Sequence, residues 1–313
     1  MTIPSHSPDT PAVSVVLPTY NRAHTIRRAV DSALGQTYRD FEILVIDDGS
    51  ADDTASLLRP YAERASIRYL TQPHTNAAAA RNRGVRESRG AYIAFLDSDD
   101  EWLPDKLLKQ VAVLEAADRG VGIVYCDMLR VAARGRVRSF AAPHVRRGET
   151  FRPGTYDYQF VGVGIQSTLF RRQCFTPSRQ FDERLFALCD LELFLRMAET
   201  FEFYRLEEPL VRYYAGPGMS TNPKANANAR EYMLAKYRDR FVERPRHLAY
   251  QYAKISAARF VDGDATSARE YARKALRLDS MNAGVLLRTL PGLLRLGGLL
   301  DVYRFLERIV APR

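Results

Sequence analysis

The chain has 313 residues, 46% hydrophobic and 27% charged, a composition that excludes disorder throughout and suffices for one large core or two domains. Its 46 Lys and Arg against 37 Asp and Glu leave a formal charge of +9, which favours anionic partners: nucleotides, phosphorylated lipids, nucleic acid or an acidic membrane surface. No segment approaches the roughly 18 to 20 uninterrupted apolar residues of a membrane span.

Cysteine usage and the N-terminal sequence indicate the compartment. Cys126, Cys174 and Cys189 lie far apart and show no CxxC or Cys/His spacing, which indicates a reducing compartment and no zinc site. The opening MTIPSHSPDTPAVS lacks a basic stretch followed by an apolar run, so we expect no signal peptide. We therefore expect a cytoplasmic protein in which residues 1–11 form a flexible tail.

The first hundred residues alternate between predicted strands and helices. Short β-branched runs are typical of buried strands, and apolar residues at helical spacing lie between them. The predicted strands are 13–17, 42–46, 67–70 and 91–96, and the predicted helices are 25–36, 54–64 and 76–88. This alternation predicts an α/β fold with a mostly parallel sheet covered by helices on both faces.

The alternation fades after residue 115, and the chain ends in helices. The later predicted elements are strands at 122–129, 164–172 and 210–214, a helix at 189–199 and a Gly/Pro loop at 215–223. Residues 249–282 match one tetratricopeptide unit, which alone cannot form a solenoid, so a helical hairpin is expected there. We predict a main domain at 12–224 and a helical C-terminal region at 225–313.

Three polar clusters each follow a predicted strand directly: PTYNR at 18–22, DDGS at 47–50 and DSDD at 97–100. Ligands of open α/β sheets bind outside the carboxyl ends of the strands, so these clusters are expected to converge on one rim. With Glu101, the third cluster places four carboxylates in five residues, a repulsion that a cation, a proton or solvent has to relieve. We expect a positive group at this position.

The order and spacing of these clusters, together with AAARNRG at 78–84, strongly resemble the glycosyltransferase family 2 enzymes, which have the nucleotide-sugar-binding GT-A fold. The resemblance covers residues 13 to about 215. It implies inverting transfer of a sugar from a nucleoside diphosphate, with UDP favoured, to an acceptor hydroxyl, usually with Mg²⁺ or Mn²⁺. The family also implies that the acceptor is a surface glycan or a lipid-linked glycan.

The resemblance assigns the donor and metal residues. A divalent cation is an efficient way to neutralise the charge that develops on a diphosphate leaving group, and carboxylates are the hard ligands that Mg²⁺ and Mn²⁺ prefer. Asp99 is the implied metal ligand, and Asp97 assists the metal or bonds the ribose. The implied donor-binding residues are Pro18, Thr19, Tyr20, Arg22, Asp47, Asp48, Arg81, Asp97, Ser98 and Asp100.

Several of these residues have a specific expected role, and some have a structural alternative. Asp48 or Asp47 is expected to accept from the N3–H of a pyrimidine base, and Arg81 to add charge near the diphosphate at the start of a helix. Without the family context, DDGS reads as a strand-to-helix turn with an N-cap, and DSDD as an acidic turn before a helix at 104–111.

The resemblance places the general base in FDERLFALCDLELFLRM, residues 181–197, where Asp190 would take the proton of the acceptor hydroxyl. Glu192 is the fallback, and Cys189 stands where the family more usually has an acid. No histidine follows the strand at 210–214, although relatives often have one there. Trp102 either stacks on a sugar or packs in the core.

Two surface stretches suggest further contacts. Residues 128–147 contain six arginines and no acid, as expected for a solvated β-hairpin or for a dock for a phospholipid-linked acceptor or an anionic leaflet. The leucine-rich stretch 284–310 could lie in a membrane interface or close a helical core. Either surface could hold the protein at the inner face of the plasma membrane. We expect no nucleic-acid binding, because no stacking pattern or nucleic-acid-binding motif appears.

Two other functions are compatible with parts of the sequence. Cys189 and the missing histidine suggest a catalytically degenerate module that binds a nucleotide sugar without turnover, although Asp97, Asp99 and Asp190 argue against it. A phospho-acceptor receiver domain also clusters aspartates at strand ends around Mg²⁺. Receiver domains are far shorter and have no place for AAARNRG, so we disfavour that function.

Overall fold

A computed structural model describes residues 10–132, 135–149, 157–216 and 221–293. Most of the predicted tail, Arg134 of the basic stretch and the part of the leucine-rich stretch from residue 294 onward lie outside these ranges. No helix within the described ranges is long and apolar enough to cross a membrane.

The first part of the chain forms the predicted β-α-β alternation. Its elements are β1 (Val13–Thr19), α1 (Ile26–Leu34), β2 (Phe41–Asp47), α2 (Thr54–Glu63), β3 (Arg68–Thr71), α3 (Ala77–Glu87) and β4 (Tyr92–Phe95). The four strands are parallel neighbours in the order β3-β2-β1-β4. Their carboxyl ends therefore lie along one edge of the sheet.

The second part of the chain extends the same sheet with mixed pairing. Its elements are β5 (Glu101–Trp102), α4 (Lys106–Ala116), β6 (Val121–Val131), β7 (Val137–Phe140), β8 (Thr168–Arg171), α5 (Cys189–Met197) and β9 (Glu202–Tyr214). Beyond β4 the order is β8-β6-β9-β5, and β7 pairs with β6. β8 is antiparallel to β4 and to β6, whereas β6 and β9 are parallel. The α/β prediction is confirmed, and the parallel arrangement is concentrated in the first four strands.

The close packing of α3 on β1 positions Arg81 near the rim of the sheet. Every residue of β1 is buried. A Cβ atom on Gly84 of α3 would lie 2.2 Å from Cγ1 of Val16, so only glycine allows this approach. Arg81 lies about one helical turn before Gly84 and is therefore held near the end of β1.

A second compact unit contains the described residues 157–158, 186–188 and 221–293. Its helices are α6 (Pro223–Lys236), α7 (Arg238–Val242), α8 (Pro245–Val261), α9 (Ala265–Leu278) and α10 (Ala283–Leu293). Ala249, Ala253 and Ala275 are fully buried where α8 and α9 pack together, because small side chains let the helices approach closely. The described C-terminal region is helical, as predicted.

The chain enters this second unit before its C-terminal helices. The Asp157 carboxylate accepts from Gln251 Nε2 at 3.2 Å and forms an ion pair with Lys254, and the Tyr158 ring packs edge-on against Phe241. Burial lowers the pKa of Lys254 to about 8, and the Asp157 carboxylate opposes this shift. The second unit is therefore built from separate stretches of sequence.

Candidate active site

The first two polar clusters meet at the rim. β1 and β2 are paired in register up to Thr19 and Asp47. Beyond them, the Asn21 backbone N–H donates to Ser50 Oγ at 2.9 Å, and the Ala51 N–H donates to Asn21 Oδ1 at 2.8 Å. The expected convergence of PTYNR and DDGS is therefore present in the structure. Pro18 and Thr19 are buried and can offer only their backbone, whereas Tyr20 is exposed.

Asp48, the predicted base reader, is already bonded by its neighbours. Its Oδ1 accepts from Gln72 Nε2 at 2.6 Å and from the Thr75 backbone N–H at 3.0 Å, and its Oδ2 lies 2.9 Å from His74 Nδ1. Asp47 accepts from the Tyr69 hydroxyl at 2.5 Å. Both carboxylates are held rigidly, and a nucleobase read by Asp48 has to replace one of these bonds.

A stacked aromatic pair covers Asp48. The rings of Tyr20 and His74 have centroids 3.9 Å apart and are inclined by 15°. Both side chains are substantially exposed, so the pair offers an outer face to a planar ligand. His74 was not predicted as a site residue, and the signal that could have found it is its place between β3 and α3, at the rim.

Arg81 connects the acidic cluster to the start of α5. Its Nη2 bonds Asp97 Oδ1 at 2.6 Å, and its Nη1 bonds Cys189 Sγ at 3.4 Å. The side chain is buried, and Nε has no partner among the described atoms. Arg81 was predicted to face the diphosphate. In the structure it bonds Asp97 of the predicted donor motif and Cys189, the residue before the predicted base, and its role toward a diphosphate stays a prediction.

Asp190 lies beside this connection, half-buried at the start of α5. Burial raises the pKa of its carboxyl group, and the positive charge of Arg81 opposes the rise. Oδ1 accepts from the backbone N–H of the next residue, Leu191, at 2.8 Å. Leu188, two residues earlier, has a φ of 58°, which is rare for a bulky side chain and is a strain often found near active sites.

Two arginines, Arg22 and Arg28, supply positive charge next to Asp99 of the acidic cluster. Arg22 Nη2 lies 3.3 Å from Asp99 Oδ2, and Arg28 Nη2 donates to the Asp99 carbonyl at 2.6 Å. The Arg28 guanidinium also lies 3.6 Å from the ring centroid of Tyr214. Arg28 was missed in the sequence because it is one of several polar residues on the surface of α1.

The remaining acids of the cluster differ in exposure. Burial, and then the charge of Asp97, raise the pKa of Asp99, whose side chain is 37% exposed. Burial and the charges of Asp97 and Asp99 also raise the pKa of Asp100, which is buried and accepts from the Tyr214 N–H at 3.0 Å. Ser98 is likewise buried. Asp100 therefore anchors β9, and Asp99 offers the accessible oxygen.

These residues fit a divalent cation held largely by the substrate. No group of three His, Cys, Asp or Glu residues in the described ranges is arranged to hold a metal ion. Burial, and then the negative charge of Asp97, raise the pKa of both Asp99 and Asp100, and a cation bound beside these carboxylates would oppose both effects. Mg²⁺ typically binds through one or two carboxylates together with water and phosphate oxygens. Asp99 could supply such a carboxylate.

Trp102 and Glu192 do not have the surroundings of sugar-contacting residues. Trp102 is 2% exposed, its Nε1 donates to the Gln166 carbonyl at 2.9 Å, and the Lys106 ammonium lies 4.0 Å from its ring centroid. Glu192 is wholly buried and bonds Arg196 at 2.7 and 2.9 Å. Trp102 packs in the core, and Glu192 has no exposed oxygen for an acceptor hydroxyl, because both lie inside the fold.

Known proteins are similar to this chain in sequence. An uncharacterised glycosyltransferase of Rickettsia prowazekii is 38% identical over 217 residues, which are 69% of this chain and 68% of that protein. The UDP-Glc:alpha-D-GlcNAc-diphosphoundecaprenol beta-1,3-glucosyltransferase WfgD of Escherichia coli is 36% identical over 132 residues, which are 42% of this chain and 51% of that protein.

The fold is also found in a solved structure. The crystal structure of S. aureus TarS 1-349 in complex with UDP-GlcNAc has a TM-score of 0.60 at 17% identity, covering 95% of this chain and 90% of that chain. This likeness confirms the predicted GT-A fold. Residues 14–173 match the family model described as Glycosyl transferase family 2. The chain therefore belongs to glycosyltransferase family 2 and is an enzyme of that family.

Proposed function

We propose that the protein is an inverting glycosyltransferase that uses a UDP-sugar, with Mg²⁺ or Mn²⁺, to extend a surface glycan on a lipid-linked acceptor. The observation that carries this proposal is that the buried Arg81 side chain bonds both Asp97 of the donor motif and Cys189, the residue next to Asp190. A donor motif and a base have to be this close if the acceptor hydroxyl is to attack a bound sugar.

The comparisons support the donor and the acceptor class. TarS was solved with UDP-GlcNAc, and the E. coli relative is named for a UDP-glucose donor and a diphosphoundecaprenol-linked acceptor. A UDP donor and a diphosphate-linked lipid acceptor are also compatible with the +9 charge of this chain.

The proposed chemistry is a single displacement. Asp190 takes the proton of the acceptor hydroxyl while its oxygen forms a bond to the anomeric carbon. On the opposite side the bond from that carbon to the phosphate oxygen breaks, and UDP leaves with the electron pair. A raised pKa makes Asp190 a stronger base. Arg22 and Arg28 add fixed positive charge near Asp99. A divalent ion, when bound, would add further positive charge and stabilise the departing diphosphate.

Calorimetric titration tests the donor site. Wild type and Asp99→Asn would be titrated with UDP, dTDP and GDP, first with Mn²⁺ and then with the metal chelated. We expect UDP to bind wild type in the presence of Mn²⁺ and to bind at least about tenfold more weakly to Asp99→Asn or after chelation. Absence of binding by every nucleotide would contradict the proposed function.

A catalytically degenerate binding module is the second candidate, and one observation favours it. Cys189 stands where the family usually has an acid, and burial raises the pKa of its thiol to about 11, so the thiol carries no charge at neutral pH. UDP release in the presence of acceptor distinguishes the two functions. We expect turnover by wild type and a loss of about 10² to 10⁴ in kcat for Asp190→Asn, with UDP binding retained. A wild type that binds UDP without turnover would support the module.

A further inference from the structure

The β6–β7 hairpin carries arginines that repel one another. Arg130 on β6 lies directly opposite Arg138 on β7 in the antiparallel register. Directly opposed residues lie on one face of a sheet with Cβ atoms roughly 5 Å apart, where like charges are destabilising. Arg136 belongs to the same face, because it precedes Arg138 by two residues and its carbonyl continues the ladder by accepting from the Ala132 N–H at 2.8 Å. We name Arg130, Arg136 and Arg138 the arginine face.

Nothing in the described part of the chain neutralises the arginine face. All three side chains are exposed, and none forms an ion pair with another described residue. Two acids of the neighbouring strand β9 interact with other residues: Glu207 lies 3.1 Å from His144, and Glu208 forms an ion pair with Lys109. A cluster that repels itself and has no counter-charge among the described residues is complementary to an external anion.

The shape of the hairpin favours an extended anionic surface. The arginine face lies at the end of the β6–β7 hairpin, where residues 135–139 are all exposed. Val137 alternates with Arg136 and Arg138 and therefore belongs to the opposite face of β7. Spaced cations on an exposed hairpin suit the headgroups of an anionic bilayer. Nucleic acid is less well matched, because the aromatic ring of the hairpin, Phe140, packs against the core and offers no stacking surface.

We propose that the arginine face docks the protein on the anionic headgroups of a lipid bilayer. The hairpin continues directly from the rim, because Val131 at the end of β6 pairs with Tyr214, whose N–H bonds Asp100. A bilayer bound there lies beside the acidic cluster, where a lipid-linked acceptor would be used. Docking does not require sugar transfer, so it can be tested without donor or acceptor.

Vesicle co-sedimentation tests the docking surface. The full chain would be mixed at low salt with vesicles of phosphatidylcholine, alone or with about one third phosphatidylglycerol. We expect wild type to bind only the anionic vesicles and to be released by salt. Arg130→Glu/Arg138→Glu should bind them at least about tenfold more weakly. The matched control is Arg39→Glu/Arg64→Glu, which makes the same charge change at two other exposed positions and should bind nearly as wild type does.

Several outcomes would overturn the proposal. Two of them concern the vesicles: wild type does not bind anionic vesicles at low salt, or the control variant loses as much vesicle binding as the hairpin variant. The other two concern competing ligands: millimolar inorganic phosphate at constant ionic strength releases the protein from the vesicles, or an oligonucleotide binds more tightly than the vesicles through the same arginines. UDP titration of each variant keeps the two proposals separate. The hairpin variant should bind UDP normally, whereas failure of every protein to bind UDP would count against the transferase and not against the docking surface.

Discussion

Arg81 is the positive neighbour that favours the charged form of Asp190. Burial raises the pKa of Asp190, and Arg81 opposes the rise. Replacing Arg81 with methionine removes that opposition, so the Asp190 pKa should rise further and a higher pH should be needed to form the base. We therefore expect the acidic limb of the pH profile of kcat/KM to move to higher pH in Arg81→Met.

Arg86→Met is the matched control for this prediction, since Arg86 is exposed on the same helix. Its profile should coincide with that of wild type. An acidic limb that stays in place in Arg81→Met, in a variant that still binds UDP, would mean that Asp190 does not set that limb.

Single residues also show where the sequence was sufficient and where it was not. The donor motif and Asp190 could be predicted because each lies in a short segment that carries the family resemblance, and their roles stay predictions. The connection through Arg81 could not, because it joins residues 108 positions apart and depends on the packing of α3. His74 and Arg28 were missed for the same reason, since each is placed by its neighbours in space.

At the scale of an element, α3 has to lie close to β1 if Arg81 is to reach Asp97. Gly84→Ala would place a methyl group against Val16, which should destabilise the fold by about 1 to 3 kcal/mol and displace Arg81. We expect a lower midpoint in urea unfolding and reduced turnover.

The compensating variant Val16→Ala/Gly84→Ala tests the cause. Removing the Val16 methyl groups makes room for the new one, so part of the lost stability and turnover should return. If the double variant is no better than Gly84→Ala, the contact with Val16 is not what requires glycine.

Because α4 contains a buried amine, that of Lys106, we expect the stability of the fold to depend on pH. Burial lowers the pKa of Lys106 from its ordinary value of 10.5 to about 8. Between these two values the unfolded chain holds a proton that the folded protein does not, so stability rises with pH. The unfolding free energy of wild type relative to Lys106→Met should increase by about 3 kcal/mol between pH 7 and pH 10.5.

Lys109→Met on the same helix is the control, because Lys109 pairs with Glu208 and is much more exposed than Lys106. The difference in unfolding free energy between wild type and Lys109→Met should change by no more than about 1 kcal/mol between pH 7 and pH 10.5. If the difference in unfolding free energy between wild type and Lys106→Met does not change with pH, the buried amine keeps its proton.

The elements predicted best are those with a local signal. β1, β2, β3 and β4 lie where the alternation placed them, because buried parallel strands are short apolar runs. β5 was missed, since its two residues, Glu101 and Trp102, form a strand only by pairing with β9. The order of the mixed half depends on pairings distant in sequence, which no local pattern records.

At the scale of the whole molecule, the predicted boundary at 224 would cut through the second unit. A chain that ends there keeps Asp157 and Tyr158 but loses Gln251, Lys254 and Phe241, with which they pack. We expect the shortened chain to give less monomer in size-exclusion chromatography than the full chain, because a buried carboxylate and an aromatic ring are uncovered.

The full-length variant Asp157→Asn/Lys254→Met is the control, since it removes the ion pair and keeps the helices. It should elute as the full-length wild type does. A shortened chain as soluble and monomeric as the full chain would mean that residues 157–158 do not need the C-terminal helices.

The stacked Tyr20–His74 pair over Asp48 has a consequence for the speed of donor binding. A base that needs Asp48 cannot reach it until His74 or another of its partners gives up its bond. When such an opening precedes association, the observed rate of binding stops rising at high ligand concentration and approaches the opening rate. In stopped-flow mixing with UDP, wild type should reach such a plateau, and His74→Ala should stay linear to higher concentrations.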